Sequence, residues 1–152
     1  MAKILIGYAS MSGNTEEIAV LLKNKVQSAG HEVHMEELEL LDVQDLQAYD
    51  GILLGAYTWG NGDLPYEAED FYDNLGEINL IGKKGATFGS GDRVYPEFCA
   101  AVDLLEERLK KCGADIVCTG LKIEMAPEME EDIRACEAFA VTFLNELNIS
   151  AY

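Results

Sequence analysis

The chain has 152 residues, of which 49% are hydrophobic, a length and composition that suit one domain with one core. Its formal net charge is −17, from 28 acidic against 11 basic residues. Such a surface would repel the phosphates of nucleic acids and an anionic membrane, which argues against both as partners. The charge is equally compatible with steering toward a basic protein and with a merely soluble acidic protein.

Apolar runs and helical spacing alternate along the chain. Strands are predicted, in chain order, at Lys3–Ala9, His31–Glu37, Gly51–Tyr57, Gly85–Gly91 and Asp115–Ile123. Helices are predicted at Asn14–Ala29, Tyr66–Leu75, Pro96–Cys112 and Glu128–Leu147, with an acidic connection of at most one helical turn at Leu38–Ala48. This alternation of five strands with helices predicts a parallel sheet that is covered by helices on both faces.

From the sequence we expect no signal peptide, no membrane span and no disulfide framework. The first apolar run is too short for a signal peptide, and no run approaches the ~20 apolar residues that span a bilayer. Cys99, Cys112, Cys118 and Cys136 form no C-x-x-C pair and have no histidine nearby. We therefore expect reduced thiols, no metal site and a cytoplasmic location.

The loop after the first strand reads S-M-S-G-N-T, Ser10 to Thr15, and it leads into a helix. A helix N-terminus offers unpaired N–H groups, and small hydroxyl side chains add further donors, so neutral groups could surround a phosphate here. The lysine and the spacing of a nucleoside-triphosphatase loop are absent, and so is a G-x-G-x-x-G fingerprint. An ordinary helix cap is the alternative.

The loops after the third and fourth strands each carry one aromatic residue beside glycines. Trp59 is the only tryptophan of the chain, and Tyr95 follows G-S-G-D-R-V. In a parallel sheet both loops lie at the carboxyl edge, beside the first loop, where ligands bind at the switch in strand order. The two rings could enclose a flat ligand, although each alone could also be a lid over the core.

The motifs S-M-S-G-N-T, T-W-G-N-G-D-L-P and G-S-G-D-R-V-Y-P-E-F-C resemble the three flavin mononucleotide (FMN) loops of the flavodoxin family. The resemblance covers essentially the whole chain. It implies a single FMN-binding domain over residues 1–152, built as a three-layer α/β/α sandwich with a five-stranded parallel sheet in the order 2-1-3-4-5. The fifth strand runs into Met125 and Pro127 without a long inserted loop, as in short-chain flavodoxins.

The resemblance also implies which residues hold a non-covalent FMN. The phosphate would be bound by Ser10, Met11, Ser12, Gly13, Asn14 and Thr15. The inner face of the ring and its N5 edge would meet Thr58, Trp59, Gly60 and Asn61. The pyrimidine edge would face Ser90, Gly91 and Asp92, the outer face would stack on Tyr95, and Phe98 and Cys99 would support the ring from behind.

Two positions depart from the usual family pattern, and one glycine suggests a switch. Met11 stands where a hydroxyl residue is common, and Arg93 brings a cation close to the flavin. At Gly60 the peptide could flip so that its carbonyl accepts a hydrogen bond from N5 of the semiquinone. We therefore expect Gly60→Ala to leave the oxidised protein nearly unaffected.

An electron carrier, not an enzyme, is the function that the resemblance implies. The three loops contain no histidine, since His31 and His34 belong to the second strand, and Tyr95 would cover the ring face that a substrate needs. Single electrons would pass at low potential from a flavodoxin or ferredoxin reductase to acceptor oxidoreductases that have basic docking faces. We expect a monomer.

Three alternatives belong to other classes of protein. A phospho-acceptor receiver domain is nearly excluded, because the first and third strands end in Ala9-Ser10 and Ala56-Tyr57 instead of acids. A flavodoxin-like quinone or azo-dye reductase would oxidise NADPH directly. An FMN module cut from a larger reductase is the third, and the way the chain begins and ends at the domain argues weakly against it.

Overall fold

A parallel sheet forms the centre of the fold in the computed structural model, which describes residues 2–60 and 62–149. Its strands are β1 (Lys3–Ala9), β2 (Glu32–Glu37), β3 (Gly51–Ala56), β4 (Lys84–Gly91), β5 (Asp115–Ile116) and β6 (Leu121–Glu124). They are ordered β2-β1-β3-β4-β5, with β6 also paired to β4, and every pair is parallel. The predicted direction and order of the strands are confirmed.

Helices cover the sheet on both faces. They are α1 (Asn14–Ser28), α2 (Tyr66–Leu75), α3 (Ala100–Lys111) and α4 (Glu130–Ile149). Because successive strand residues point to opposite faces, Ile4 packs in the core under α1 and α4 while Leu5 packs in the core under α2 and α3. Among the described residues, none of the helices combines the length and the apolar character that a bilayer crossing requires.

The predicted fifth strand is divided into two short pieces along the edge of the sheet. Gly85 pairs with Ile116, and Phe88 pairs with Leu121. Between these two pairs the edge strand has four residues, 117–120, whereas β4 has only two. The two extra residues cannot pair with β4 and interrupt the strand. The prediction of one continuous strand from Asp115 to Ile123 is wrong for this reason.

The third helix begins later than Pro96. The main-chain N–H of Tyr95 donates to the carbonyl of Asp92 at 3.1 Å, so the chain turns before the helix and not within it. Cys99, with φ 54°, then directs the chain into α3 at Ala100. Smaller differences are that α4 begins at Glu130, and that the acidic connection forms two 3-10 helices, Leu38–Leu40 and Val43–Ala48.

The switch in strand order lies at β1, because β2 and β3 flank it on opposite sides. The loops after β1, β3 and β4 therefore come together at the carboxyl edge of the sheet. The histidines lie elsewhere: His31 accepts a hydrogen bond from the main chain of Ala2 at 3.0 Å, and His34 is exposed on the edge strand beside Glu36.

Candidate cofactor site

The first loop presents unpaired main-chain donors at the start of α1. The Oγ of Ser10 accepts from the N–H groups of Gly13 at 3.1 Å and Glu16 at 3.3 Å, so this side chain caps the loop. Within residues 2–60 and 62–149, no acceptor is found for the N–H groups of Met11, Ser12, Asn14 and Thr15. A helix N-terminus with several unpaired donors fits the phosphate that the sequence predicts here.

Thr15 and Ser90 connect the first loop to the end of β4. Their hydroxyl oxygens are 2.7 Å apart, and the two residues are 1% and 3% exposed. The prediction that Ser90 faces the pyrimidine edge of the ring must therefore rest on its main chain, because its side chain is buried against Thr15. Two residues separated by 74 others in the chain are thus joined beneath the site.

The second loop is a tight hairpin. Trp59 and Asp63 exchange main-chain hydrogen bonds of 2.8 and 2.9 Å, and Gly60 and Gly62 both have positive φ. A Cβ at Gly62 would lie 3.0 Å from the Cβ of Glu97, so this hairpin packs closely against the third loop. Asn61 lies outside the described residues, and its contact with the flavin stays a prediction.

Gly60 already has φ 54° in this structure. An alanine at this position would meet no atom within 4 Å, but a Cβ strains a backbone of that conformation. The expectation that Gly60→Ala would leave the oxidised protein nearly unaffected therefore does not hold, because an alanine would be strained in the conformation that the structure already describes.

Thr58 joins the second loop to a helix. Its Oγ1 accepts a hydrogen bond of 3.0 Å from the main-chain N–H of Ala101, in the first turn of α3. That N–H belongs to the group of donors that a helix start leaves unpaired, so Thr58 caps α3 from a distant loop. The oxygen of Thr58 is therefore engaged within the protein, and the contact of this residue with the flavin ring stays a prediction.

Arg93 in the third loop is held by two neighbours. Its guanidinium lies 4.3 Å from the centre of the Phe98 ring, and its Nε lies 3.8 Å from Oε1 of Glu124. Glu124 also accepts from the main-chain N–H of Arg93 at 3.2 Å. The extra cation is thus partly balanced by a carboxylate, and Phe98 supports Arg93. Sequence reasoning missed Glu124, since it lies 31 residues away on another strand.

Cys99 packs directly behind the third loop. It is 1% exposed, and a Cβ added to Gly91 would lie 2.9 Å from its Sγ. Burial raises the pKa of this thiol to about 11, so it stays protonated and unreactive near neutral pH. This position agrees with a supporting residue and argues against a nucleophile.

The two aromatic residues of the loops are both half exposed. Trp59 is 54% and Tyr95 is 55% exposed. The only ring pair found among the described residues involves His34 and Tyr49, so neither loop ring stacks on another aromatic residue. A lid over the core would be buried, and the lid interpretation therefore fails for both. Half-exposed rings without a partner fit the two faces of a flavin.

An acidic groove of about 650 Å³ lies beside Trp59 and extends along α2. Tyr57 donates a short hydrogen bond to Oε1 of Glu67 inside it, and burial together with this bond raises the pKa of Tyr57 well above its usual value. Sequence reasoning missed this pair because nothing in the local pattern distinguishes it. The groove is lined by Met11, Tyr57, Trp59, Asp63, Leu64, Tyr66, Glu67, Glu69, Tyr72 and Leu104.

The comparisons with known proteins agree with this geometry. The family model of Flavodoxin matches residues 6–139. "Probable flavodoxin 1" of Bacillus subtilis (strain 168) is 51% identical over 144 residues, which are 95% of this chain and 91% of that protein. The crystal structure of oxidised Flavodoxin 2 from Bacillus cereus is 58% identical, with a TM-score of 0.94 over 95% of this chain and 99% of that one.

A third relative is the short-chain flavodoxin associated with a non-canonical PDU bacterial microcompartment, which is 34% identical to this chain. Its structure has a TM-score of 0.93, and the match covers 97% of this chain and 99% of that chain. The chain therefore belongs to the flavodoxin family, and it is an electron-transfer protein that uses FMN.

Proposed function

We propose that the three loops hold the FMN and leave one edge of its ring open for electron exchange. The observation that supports this most directly is the pair of half-exposed rings, Trp59 and Tyr95, which stack on no other ring among the described residues and lie on loops at the same edge of the sheet as the start of α1. In this proposal the main-chain donors of residues 10–15 bind the phosphate, Trp59 and Tyr95 cover the two ring faces, and residues 90–92 line the pyrimidine edge.

Each group in the site has a separate task. FMN, when bound, supplies one-electron redox chemistry. The N–H groups at the start of α1 hold the phosphate without a cation, and the two rings exclude water from the flavin faces. Asp63 and Glu69 are exposed beside Trp59, so their charge opposes any added negative charge nearby. That opposition favours a low reduction potential.

We propose that the protein has no substrate of its own. Proton transfer to a substrate would need a positioned acid or base, and the loops offer few candidates. Asp92 accepts a hydrogen bond of 2.9 Å from the main chain of Val94, and Cys99 is buried with a raised pKa. The histidines lie on the far side of β1. These features support a carrier over a flavodoxin-like reductase.

An anaerobic assay, in which NADPH is added to the FMN-loaded protein, distinguishes an electron carrier from a reductase. For a carrier, the flavin absorbance stays unchanged with NADPH alone and bleaches once a catalytic amount of flavodoxin reductase is added. Bleaching by NADPH alone, at a rate proportional to protein and unaffected by the reductase, would favour the quinone or azo-dye reductase instead.

We further propose that partners dock through the acidic groove beside Trp59 onto a basic face. Asp63, Glu67 and Glu69 line the groove, and Met11 and Tyr66 are exposed at 67% and 83%. Exposed apolar surface inside an acidic rim suits a partner that has basic residues around an apolar centre. A reductase and an acceptor could share this surface in turn.

Charge removal tests the docking surface. Glu69→Gln should lower the electron-transfer rate at limiting partner concentration severalfold and flatten its dependence on ionic strength. Glu137→Gln, which changes another exposed acid, on α4, is the matched control and should leave the rate unchanged. Equal effects of the two variants would show that only net charge matters and would contradict a localised docking face.

Three expectations about the domain, the oligomeric state and the location of the protein complete the proposal. We propose that residues 1–152 form one domain, that the protein is a monomer and that it works in the cytoplasm. All four cysteines are buried free thiols, which supports a reducing compartment. Sedimentation equilibrium tests the monomer, and a mass that rises with concentration in the micromolar range would contradict it.

A further inference from the structure

Two buried hydroxyls meet under the first and third loops. Thr15 is the second residue of α1, and Ser90 lies near the carboxyl end of β4. Their oxygens are 2.7 Å apart, and either could be the donor. In the part of the chain that the structure describes, neither hydroxyl has another hydrogen-bond partner.

One of the two hydroxyl protons in this pair lacks an acceptor within the described part of the chain. Two hydroxyls carry two protons, and the hydrogen bond between them uses one. Whichever residue donates, the O–H of the other is left without an acceptor among the described residues. Both residues are almost completely buried, and a buried donor without an acceptor is destabilising.

The surroundings of the two residues decide where the missing acceptor belongs. Ser90 pairs with Ile123 in the sheet and lies two residues after Phe88, and both of these neighbours belong to the apolar core. An acceptor placed beside Ser90 would therefore have to open that core. Thr15 lies in the first turn of α1, beside the N–H groups of residues 11, 12 and 14, for which the described part of the chain offers no acceptor. An anion bound there would accept the proton of Thr15.

We propose that Ser90 is a positioning residue for the FMN phosphate. Its O–H donates to Oγ1 of Thr15, which leaves the O–H of Thr15 directed to the phosphate. The end of β4 thereby stabilises the phosphate end of the cofactor through a hydroxyl that never touches it. This inference rests on the proposed FMN site and assigns to Ser90 a role different from a contact with the flavin ring.

The test compares FMN with riboflavin, which has the same ring but no phosphate. In Ser90→Ala the affinity for FMN should fall about tenfold, which corresponds to about 1.4 kcal/mol, while the affinity for riboflavin changes less than twofold. Ser90→Cys keeps the size of the side chain with a weaker donor, so it should show a smaller loss in the same direction. Quenching of flavin fluorescence by the apoprotein measures both affinities.

A double-mutant cycle separates positioning from packing. Thr15→Val removes the hydroxyl that Ser90 orients, so adding Ser90→Ala to it should change the FMN affinity less than twofold. Thr87→Val is the matched control, because Thr87 is a fully buried hydroxyl on the same strand that donates to the carbonyl of Val102 at 3.0 Å. It should lower thermal stability and leave the ratio of the two affinities unchanged.

The possible outcomes are distinguishable. A wild-type protein that binds FMN no better than riboflavin would overturn the proposed phosphate site and this inference with it. A wild-type preference for FMN that Ser90→Ala and Ser90→Cys both retain would overturn the inference alone. Equal losses for FMN and riboflavin in these variants would do the same, since they would show that Ser90 only packs the loop.

Discussion

Replacing the loop aromatics tests whether they are ligand contacts or structural elements. Trp59→Ala and Tyr95→Ala each remove a ring that is about half exposed and that stacks on no other ring among the described residues. Since surface substitutions change stability by about 0.5 kcal/mol or less, we expect both apoproteins to unfold at nearly the wild-type temperature. The loss should appear only when FMN is added.

The exposed area sets the size of that loss. An aromatic side chain has about 200 Å² of surface, and an exposed fraction of 54% leaves about 100 Å² for the flavin to cover. At about 25 cal/mol per Å², full coverage contributes at most about 2.5 kcal/mol. Stacking covers one face of the ring, so we expect a loss of about 1 to 2.5 kcal/mol, or about 5- to 70-fold in Kd.

Titration of each apoprotein with FMN, followed by quenching of flavin fluorescence, measures these affinities. Tyr95→Phe keeps the ring and should stay within about twofold of the wild type. Tyr66→Ala is the matched control: this tyrosine is 83% exposed on α2, in the groove beside Trp59 but outside the three loops. It should leave the FMN affinity unchanged.

Two results would refute the reasoning. One is a loss of affinity in Trp59→Ala and Tyr95→Ala no larger than that in Tyr66→Ala. The other is a large fall in apoprotein stability that accounts for the weaker binding, which would make the rings structural after all.

The other predictions concern backbone strain, pH and thiol reactivity. Gly60→Ala places a Cβ at φ 54°, so chemical denaturation should show a loss of about 1 to 2 kcal/mol in the apoprotein, with FMN still bound; unchanged stability would contradict it. Burial, together with a hydrogen bond to Glu16, raises the pKa of Tyr8 from 10.0 to about 12. The folded state therefore holds this proton more tightly than the unfolded state, and the contribution to stability is complete below pH 10 and is lost as pH rises through 12. Tyr8→Phe should have a flatter stability curve in that window, and an identical slope would count against the assignment. Burial raises the pKa of all four cysteine thiols, so a thiol reagent at pH 8 should label them slowly in the native protein and fully in denaturant; rapid native labelling would contradict their burial.

The sequence predicted those features that short segments encode. Fully apolar runs identify β1 and β3, and the glycines and hydroxyl residues that follow them identify the loops. Because parallel strands bring consecutive loops to one edge, the position of the site followed from the order of the motifs alone. The half-exposed rings of Trp59 and Tyr95 agree with this prediction, although their contacts with FMN stay predictions.

The features that sequence reasoning missed depend on contacts between distant residues. No local pattern pairs Thr15 with Ser90, or Arg93 with Glu124, because the partners meet only after the sheet has formed. The start of α3 was misplaced for a different reason. Pro96 favours a helix start, but a turn centred on residues 92–95 and the positive φ of Cys99 delay the helix by four residues.

The hydroxyl of Thr58 shows the same limit on a smaller scale. Its position in a flavin loop predicts a contact with the ring, which stays a prediction, but nothing in that position indicated that its oxygen caps α3. Local sequence identifies which loop a residue occupies, but the competition among nearby hydrogen-bond donors decides what its side chain binds.

The flavin content of the natively purified protein tests the central claim most directly. Flavin released by denaturation, separated by chromatography and quantified against protein concentration, should be FMN at a ratio of one per chain. FAD in its place, or a protein that has no flavin and does not take up FMN on reconstitution, would contradict the account.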